Sequence, residues 1–216
     1  MTRRIGPRMS AAVAAVVFAG SGARGDGLAN LEFSPAASTV GVNDIFSIDL
    51  IARTVGEKEV PMSGMTVVLD WDPSFLQLVG LVNRPASGLN SSFPGLLQGD
   101  FDHLNQTFLD GDALYQGIAQ LPPPPIPIAV ASPDGLLVTT YRFRALAMTE
   151  STEITMPAMR GMFTETAIIS GVIPGLDVLG TSGTASIHVV PEPASAMLVG
   201  VGLIAAGLRR RRAPRG

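Results

Sequence analysis

Short runs in which apolar and polar residues alternate, broken at glycine, proline and aspartate, leave this chain few options other than β-structure. In an extended strand successive side chains point to opposite faces, so a period of two marks a strand with one buried face. Ile45–Ala52 puts Phe46, Ile48, Leu50 and Ala52 on one face, and Ser47 and Asp49 on the other. Met65–Trp71 sets Met65, Val67, Leu69 and Trp71 against Thr66, Val68 and Asp70. Leu137–Ala145 sets Leu137, Thr139, Tyr141, Phe143 and Ala145 against Thr140, Arg142 and Arg144. Shorter runs at Leu31–Ser34, Leu76–Leu81, Leu114–Ala119, Ile126–Ala131, Glu153–Met156, Phe163–Ile169 and Ala185–Val189 read as further strands. Asp72-Pro73-Ser74, Pro133-Asp134-Gly135 and Ile173-Pro174-Gly175 are turn formers between them. With 24 glycines, 17 prolines and no 3.6-residue period in the body, a helical bundle is excluded. The pattern predicts an all-β domain over residues 28–189, an antiparallel jelly-roll β-sandwich of about nine strands. Longer loops are expected at Asn83–Gln98 and around Pro122–Pro125.

The absence of cysteine removes disulfides, thiolate metal sites, iron–sulfur clusters, a cysteine nucleophile and a lipid-anchor cysteine. His103 and His188 are the only imidazoles, so a zinc centre or a serine–histidine–aspartate mechanism would have to use one of them. The net charge of −3 conceals a segregation. Gly25 to Val190 carries six basic residues (Arg53, Lys58, Arg84, Arg142, Arg144, Arg160) against 17 acidic ones, a net −11. Such a body repels phosphate backbones, which argues against a nucleic-acid partner. Arg3, Arg4, Arg8 and Arg24 precede it, and Arg209, Arg210, Arg211, Arg212 and Arg215 follow it, with no acid among them. Basic clusters beside apolar runs are the mark of membrane targeting.

Residues 1–23 read as a secretory signal peptide. Arg3, Arg4 and Arg8 form a positive start, and Ala11–Ala19 is an apolar stretch suited to a signal helix. Ser21 and Ala23 are small residues placed for cleavage after Ala23. Nine apolar residues are too few to span a bilayer, which needs about 20.

Residues 190–216 carry a second targeting pattern. Pro191-Glu192-Pro193 is followed by the uncharged run Ala194–Leu208 and then by Arg209–Arg212. The prolines prevent a helix from extending back past Pro193. As a transmembrane helix, residues 194–208 would cover roughly 22 Å at 1.5 Å per residue, short of the roughly 30 Å hydrocarbon core. Local thinning and snorkelling of the flanking arginines make up part of the difference. The arginines set the topology, with the body outside and the tail in the cytoplasm. This triplet, helix and arginine cluster resemble the PEP-CTERM protein-sorting signal of Gram-negative bacteria. The resemblance implies a membrane-anchored precursor, an exosortase as partner, cleavage near the triplet, and a cell-surface or exopolysaccharide-associated product.

A second resemblance lies in the body. Leu69-Asp70-Trp71-Asp72-Pro73-Ser74-Phe75-Leu76 resembles the cohesin-type domain, in which a strand ending in Asp-Tyr-Asp-Pro leads into a second apolar strand. Val42-Asn43-Asp44 before the first long strand, Asp134-Gly135-Leu136 before Val138–Phe143, and Ala185–Val189 as a closing strand fit the same pattern. Membership would imply a nine-stranded jelly roll related to carbohydrate-binding modules; it does not imply a dockerin-type partner.

Few side chains suggest chemistry. Asp70 and Asp72 flank Trp71 and share the face opposite it, as a carboxylate pair for a hard cation or as a turn cap beside a solvated residue. Asp100, Asp102, Asp110 and Asp112, with glycines between, form either a solvated acidic loop or a calcium site. EF-hand spacing is absent there, and His103 among carboxylates does not make a zinc site. His188 falls on the last expected strand as a structural residue. Asn90-Ser91-Ser92 and Asn105-Gln106-Thr107 fit a glycosylation sequon, and Leu121–Pro127 should form a stiff polyproline segment. No nucleophile elbow, zinc-binding helix motif or phosphate loop is present. Alternation buries Trp71 and Tyr141 and leaves Tyr115 as the one ring free to stack on a sugar. These readings describe a non-catalytic surface or matrix protein acting in adhesion or exopolysaccharide association. The alternatives are a carbohydrate-binding module using Tyr115, and a calcium-dependent protein-interaction module.

Overall fold

Residues 27–84, 87–91, 93, 102–119 and 129–192 of the 216-residue chain are described in the computed structural model. They contain strands and turns and no α-helix, and two face-to-face sheets enclose one core.

The first sheet is built on β3 (Ile45–Thr54) and β9 (Leu136–Ala145), each ten residues long. Around them the order is β14 (Leu179–Ser182), β1 (Ala29–Ser34), β3, β9, β5 (Leu76–Asn83). The inward residues of β3 are the expected ones: Ile48, Leu50 and Ala52 are fully buried and Phe46 packs against the core. In β9 the expected alternation holds from Tyr141 to Ala145. Thr140, expected outward, is covered by Asp49 and Arg84, which bond its hydroxyl, and the pattern reverses before Thr139. A register shift between Leu50 and Ile51 leaves Val138 without a partner on β3. The extra residue flips the start of the strand, so Val138 is buried and Leu137 is exposed, against expectation.

The second sheet is organised by β4 (Val60–Trp71), which is buried along most of its length. One edge of β4 pairs with β8 (Ala129–Ala131) and then β7 (Asp112–Ala119); the other pairs with β13 (Ala167–Ser170) and then β10 (Thr149–Thr155). Beyond these lie β6 (Leu89–Asn90), next to β7, and β15 (Ala185–Val190) and β2 (Ala37–Gly41), next to β10. Met65, Val67, Leu69 and Trp71 face the core as expected. Val68, expected on the polar face, is also buried, in a small cluster with Leu104 and Leu114 on the outer side of the sheet. The loop before β7 covers that spot.

Two expectations need correction. The sandwich is not wholly antiparallel: β1 runs parallel to β14, and β2 parallel to β15. The first extended stretch changes sheets after Ser34, where Pro35 has no N–H to continue the ladder, and its two halves meet strands from the last third of the chain. The strand count also exceeds nine, with fifteen segments among the described residues. The run Phe163–Ile169 is one reason: Thr164–Glu165 (β12) forms a hairpin with Met159–Arg160 (β11), and only Ala167–Ser170 joins β4.

Aromatic rings fill the space between the sheets. Trp71 meets Phe143 edge to face with centroids 5.4 Å apart, and Tyr141 sits between Phe33 at 6.4 Å and Tyr115 at 6.1 Å. The indole N–H of Trp71 donates to the Leu76 carbonyl at 3.0 Å, so the largest ring in the core keeps its polar atom satisfied.

Candidate functional site

Three places carry the polar groups that the sequence singles out: the outer side of the second sheet, its core face, and the end of the sandwich where the chain leaves.

On the outer side, Asp70 and Asp112 are direct cross-strand partners on β4 and β7. Like charges in that position repel. Arg160, from β11, lies over both and donates to Asp70 at 3.0 Å and Asp112 at 3.1 Å. The Asp112 carboxyl is nonetheless pushed up from its ordinary value, first by partial burial and then by Asp110, with Arg160 acting against both. Asp102 has a different task. It accepts from the Met162 and Phe163 amides at 2.8 and 2.9 Å and from the Thr164 hydroxyl at 2.6 Å. The Thr164 hydroxyl and the Met162 amide are the main causes that hold its carboxyl down at about 2. The β11–β12 hairpin is thus pinned at its turn by Asp102 and through its first strand by Arg160. Its turn carries Met162 and Phe163, and its first strand opens with Met159, all well exposed.

The calcium expectation requires Asp100, Asp102, Asp110 and Asp112 to converge. Asp100 lies outside the described residues. Asp102 points into the hairpin turn, Asp112 pairs with Arg160, and Asp110 is exposed. Among the described residues no three His, Asp or Glu side chains gather as a metal site would need. Asn105, the sequon residue, is used internally. Its side chain donates to the Leu114 carbonyl at 2.8 Å and accepts the Leu114 amide at 2.9 Å, imitating one rung of a strand beside β7. His103 is exposed in this loop with φ +62°, and His188 is exposed on β15.

Tyr115 is the clearest correction among the site residues. It is 1% exposed and offers no ring to a sugar. The register places it opposite Val67, an inward residue of β4, and its ring fills the room left by Ala113, Gly117 and Ala119 on the same face. The bulkier Leu114 and Ile118 fall on the outer face, where Ile118 is 44% exposed. Burial raises the phenols of both Tyr115 and Tyr141 above the ordinary tyrosine value. Trp71 is buried as expected.

At the exit, Asp72 caps its turn by accepting the Ser74 amide at 2.8 Å, which supports the capping role over a cation site. The loops at 41–45, 72–76 and 145–149 meet here. Asn43 N–H donates to Ala145 at 2.8 Å, Leu146 N–H to Phe75 at 2.7 Å, and Val42 N–H to Val190 at 3.0 Å. Two residues past β15, the Glu192 carboxylate accepts from the Asn43 side-chain amide at 2.7 Å. Pro193, the apolar run 194–208 and Arg209–Arg212 lie outside the described residues, as do residues 1–23.

Comparison with known proteins agrees with both halves of this picture. Residues 189–212 match the PEP-CTERM protein-sorting motif. Solved structures with the same fold are cohesin modules. The third cohesin of ScaC from Acetivibrio cellulolyticus, determined with the ScaB dockerin, aligns with TM-score 0.51 at 13% identity, over 76% of this chain and 99% of that one. The seventh type I cohesin of ScaB from Pseudobacteroides cellulosolvens aligns with TM-score 0.52 at 9% identity, over 76% and 94%. The cohesin module of a family 33 glycoside hydrolase from Clostridium perfringens aligns with TM-score 0.51 at 9% identity, over 77% and 99%. At such identities the likeness is one of fold. No curated protein matches the chain. The chain therefore carries a PEP-CTERM sorting motif, which implies export, transient anchoring and exosortase processing, behind a β-sandwich of cohesin type.

Proposed function

We propose that the exported body is a non-catalytic adhesion module that holds a protein of the cell surface or extracellular matrix through the β11–β12 hairpin. The observation that carries this reading is the hairpin itself. Met162, on the turn, is 75% exposed and Met159, at the start of β11, is 58% exposed, and Asp102 and Arg160 fix the hairpin from below. Apolar side chains held out rigidly on an acidic body are costly unless a partner covers them. Methionine adapts to varied apolar surfaces, and the net −11 of the body favours a partner with basic residues around its apolar contact. One structural neighbour is a cohesin seen with a dockerin, which supports a protein as the class of ligand. A carbohydrate-binding role has lost the ring on which it depended, because Tyr115 is in the core. In this reading residues 190–216 anchor the precursor in the inner membrane of a Gram-negative cell, with residues 194–208 as the span.

The test is capture of envelope and matrix proteins by the full chain, beside a Met159→Ser/Met162→Ser variant, with a glycan array in parallel. The reading expects protein capture that the variant loses by about tenfold or more, the scale of interface anchors. Polysaccharide binding that the variant retains would overturn it.

A further inference from the structure

The geometry points to a second contact surface, with a lipid bilayer as its partner: the end of the sandwich formed by Val42, Ile45, Leu146 and Met148 rests on the outer leaflet while the precursor is anchored. The inference rests on the reading of residues 194–208 as the membrane span.

The argument begins with chain length. Glu192 is held against the body by Asn43, and Val190 is still part of the sheet through Val42 and β2. In the sequence only Pro193 separates Glu192 from the uncharged run that starts at Ala194. Two extended residues span roughly 7 Å, about the thickness of one headgroup layer beside the hydrocarbon core. A body attached this closely cannot stand clear of the membrane. The end where the chain exits must face it.

That end has the composition such contact needs. Met148 is 59% exposed, Ile45 46% and Leu146 37%, all on loops or strand ends beside the exit. With Pro191 and Glu192, the residues Val42, Ala147 and Met148 line an open cleft of about 530 Å³ directly at the departure point. Three nearby carboxylates are hydrogen-bonded to the body: Asp44 accepts the Gly41 amide at 2.8 Å, Asp72 caps its turn, and Glu192 is bound by Asn43. Glu150, beside Met148, is exposed and would have to stay at the headgroup level. Arg144, paired in register with Ile45 on β9, is exposed beside this collar and has no ion-pair partner among the described residues. Apolar side chains with a cation alongside suit the interface between headgroups and acyl chains, where amphipathic segments sit roughly 5–10 Å deep.

The absence of cysteine makes the test direct, since one introduced cysteine takes one label. Full-length chain carrying an environment-sensitive fluorophore at Met148→Cys is reconstituted into dioleoylphosphatidylcholine vesicles with nitroxide-labelled lipid. Val172→Cys serves as the control: Val172 is 71% exposed next to Gly171, whose amide bonds to Pro61 at the opposite end of β4. The twelve residues of β4 alone separate the two ends by roughly 36 Å. The expected result is that shallow nitroxide lowers emission at position 148 to about half or less, as a depth of roughly 5–10 Å requires, and leaves position 172 unchanged. Flotation of the same sample reports the anchor independently. Protein that floats with the vesicles while position 148 is unquenched would overturn the apposition and leave the anchor standing. Protein that does not float would overturn the anchor, and the apposition with it. Disulfide-linked dimers of the unlabelled Met148→Cys protein in the same vesicles, together with no lipid quenching of the labelled protein, would show that a second copy covers this end, and would also reject the proposal.

Discussion

At the scale of single residues, two buried or pinned groups have consequences that can be measured. The Tyr141 hydroxyl is fully buried and has no hydrogen-bond partner. An unsatisfied buried hydroxyl costs about 1–3 kcal/mol, while the ring itself is held by Phe33 and Tyr115. Tyr141→Phe is therefore expected to stabilise the body by about 1 kcal/mol, seen calorimetrically as a Tm higher by about 3 °C. Asp102 works in the opposite sense, because its ionised form is the one the hairpin uses. Its carboxyl is at about 2 when folded, against 3.8 for the free group. A depressed folded value means that its contribution is complete above about pH 4 and is lost as the pH falls towards 2. The raised Asp112 has the reverse sign, favouring the fold as it gains its proton. The protection of the Met162 and Phe163 amides, measured against their intrinsic exchange rates, should fall as the pH drops through the Asp102 window. In Asp102→Asn it should already be low at neutral pH.

Elements are held in place by contacts between residues far apart in sequence. The hairpin depends on Arg160, which separates two aspartates that the β4–β7 register sets side by side. Both ion pairs are partly solvated, so each is worth little alone. Removing the cation also leaves the facing carboxylates uncompensated. Arg160→Gln is expected to cost about 1 kcal/mol at neutral pH, less in high salt, and to weaken partner capture by loosening the hairpin. Gly111 fixes the loop that leads into β7. Its φ is +92°, and a Cβ there would collide with the Trp71 carbonyl. Its own carbonyl meanwhile accepts the Trp71 amide at 2.8 Å. Gly111→Ala should lose about 2 kcal/mol or more in denaturant unfolding. Calcium should act weakly on this loop, because Asp102 and Asp112 are committed to hairpin and arginine. A Tm increase of several degrees in millimolar calcium, reversed by chelator, would show instead that these side chains exchange their partners for the ion.

For the whole molecule, the relation between tail and body decides what processing can remove. β15 pairs with β10 on one side and β2 on the other, and Ile187 and Val189 are in the core. Among the described residues past Val190 the one side-chain hydrogen bond to the body is the exposed Asn43–Glu192 contact, worth about 1 kcal/mol at most. A chain ending at Pro193 keeps this bond and the whole of β15, and should melt within about 3 °C of the unprocessed protein. One ending before Ala185 should not fold, because the second sheet loses a central strand. Intact-mass analysis from the native host should show loss of residues 1–23 and of the segment after about Pro193. Secreted, soluble protein that retains Arg209–Arg212 would contradict the sorting reading.

Features set by neighbours in the chain were legible without a structure. Alternation in Ile45–Ala52 and Met65–Trp71 named the core residues, because burial of one strand face follows from the period of two. The triplet, apolar run and arginines are likewise local, and they carry the sorting motif by themselves. What the tertiary structure alone decided is which partner each strand meets and in what register. One extra residue in β9 exchanged Leu137 for Val138. Pairing with Val67 turned Tyr115 into the core although Leu114 and Ile118 look more apolar. Val68 became buried because a loop 36 residues further on places Leu104 over it. The acidic residues show the same limit. Their spacing suggested one loop binding a cation, whereas folding brought Arg160 and the Met162–Thr164 turn to them from the far side of the sheet. Such assignments follow from how two sheets fill a shared volume, and spacing along the chain carries no record of it.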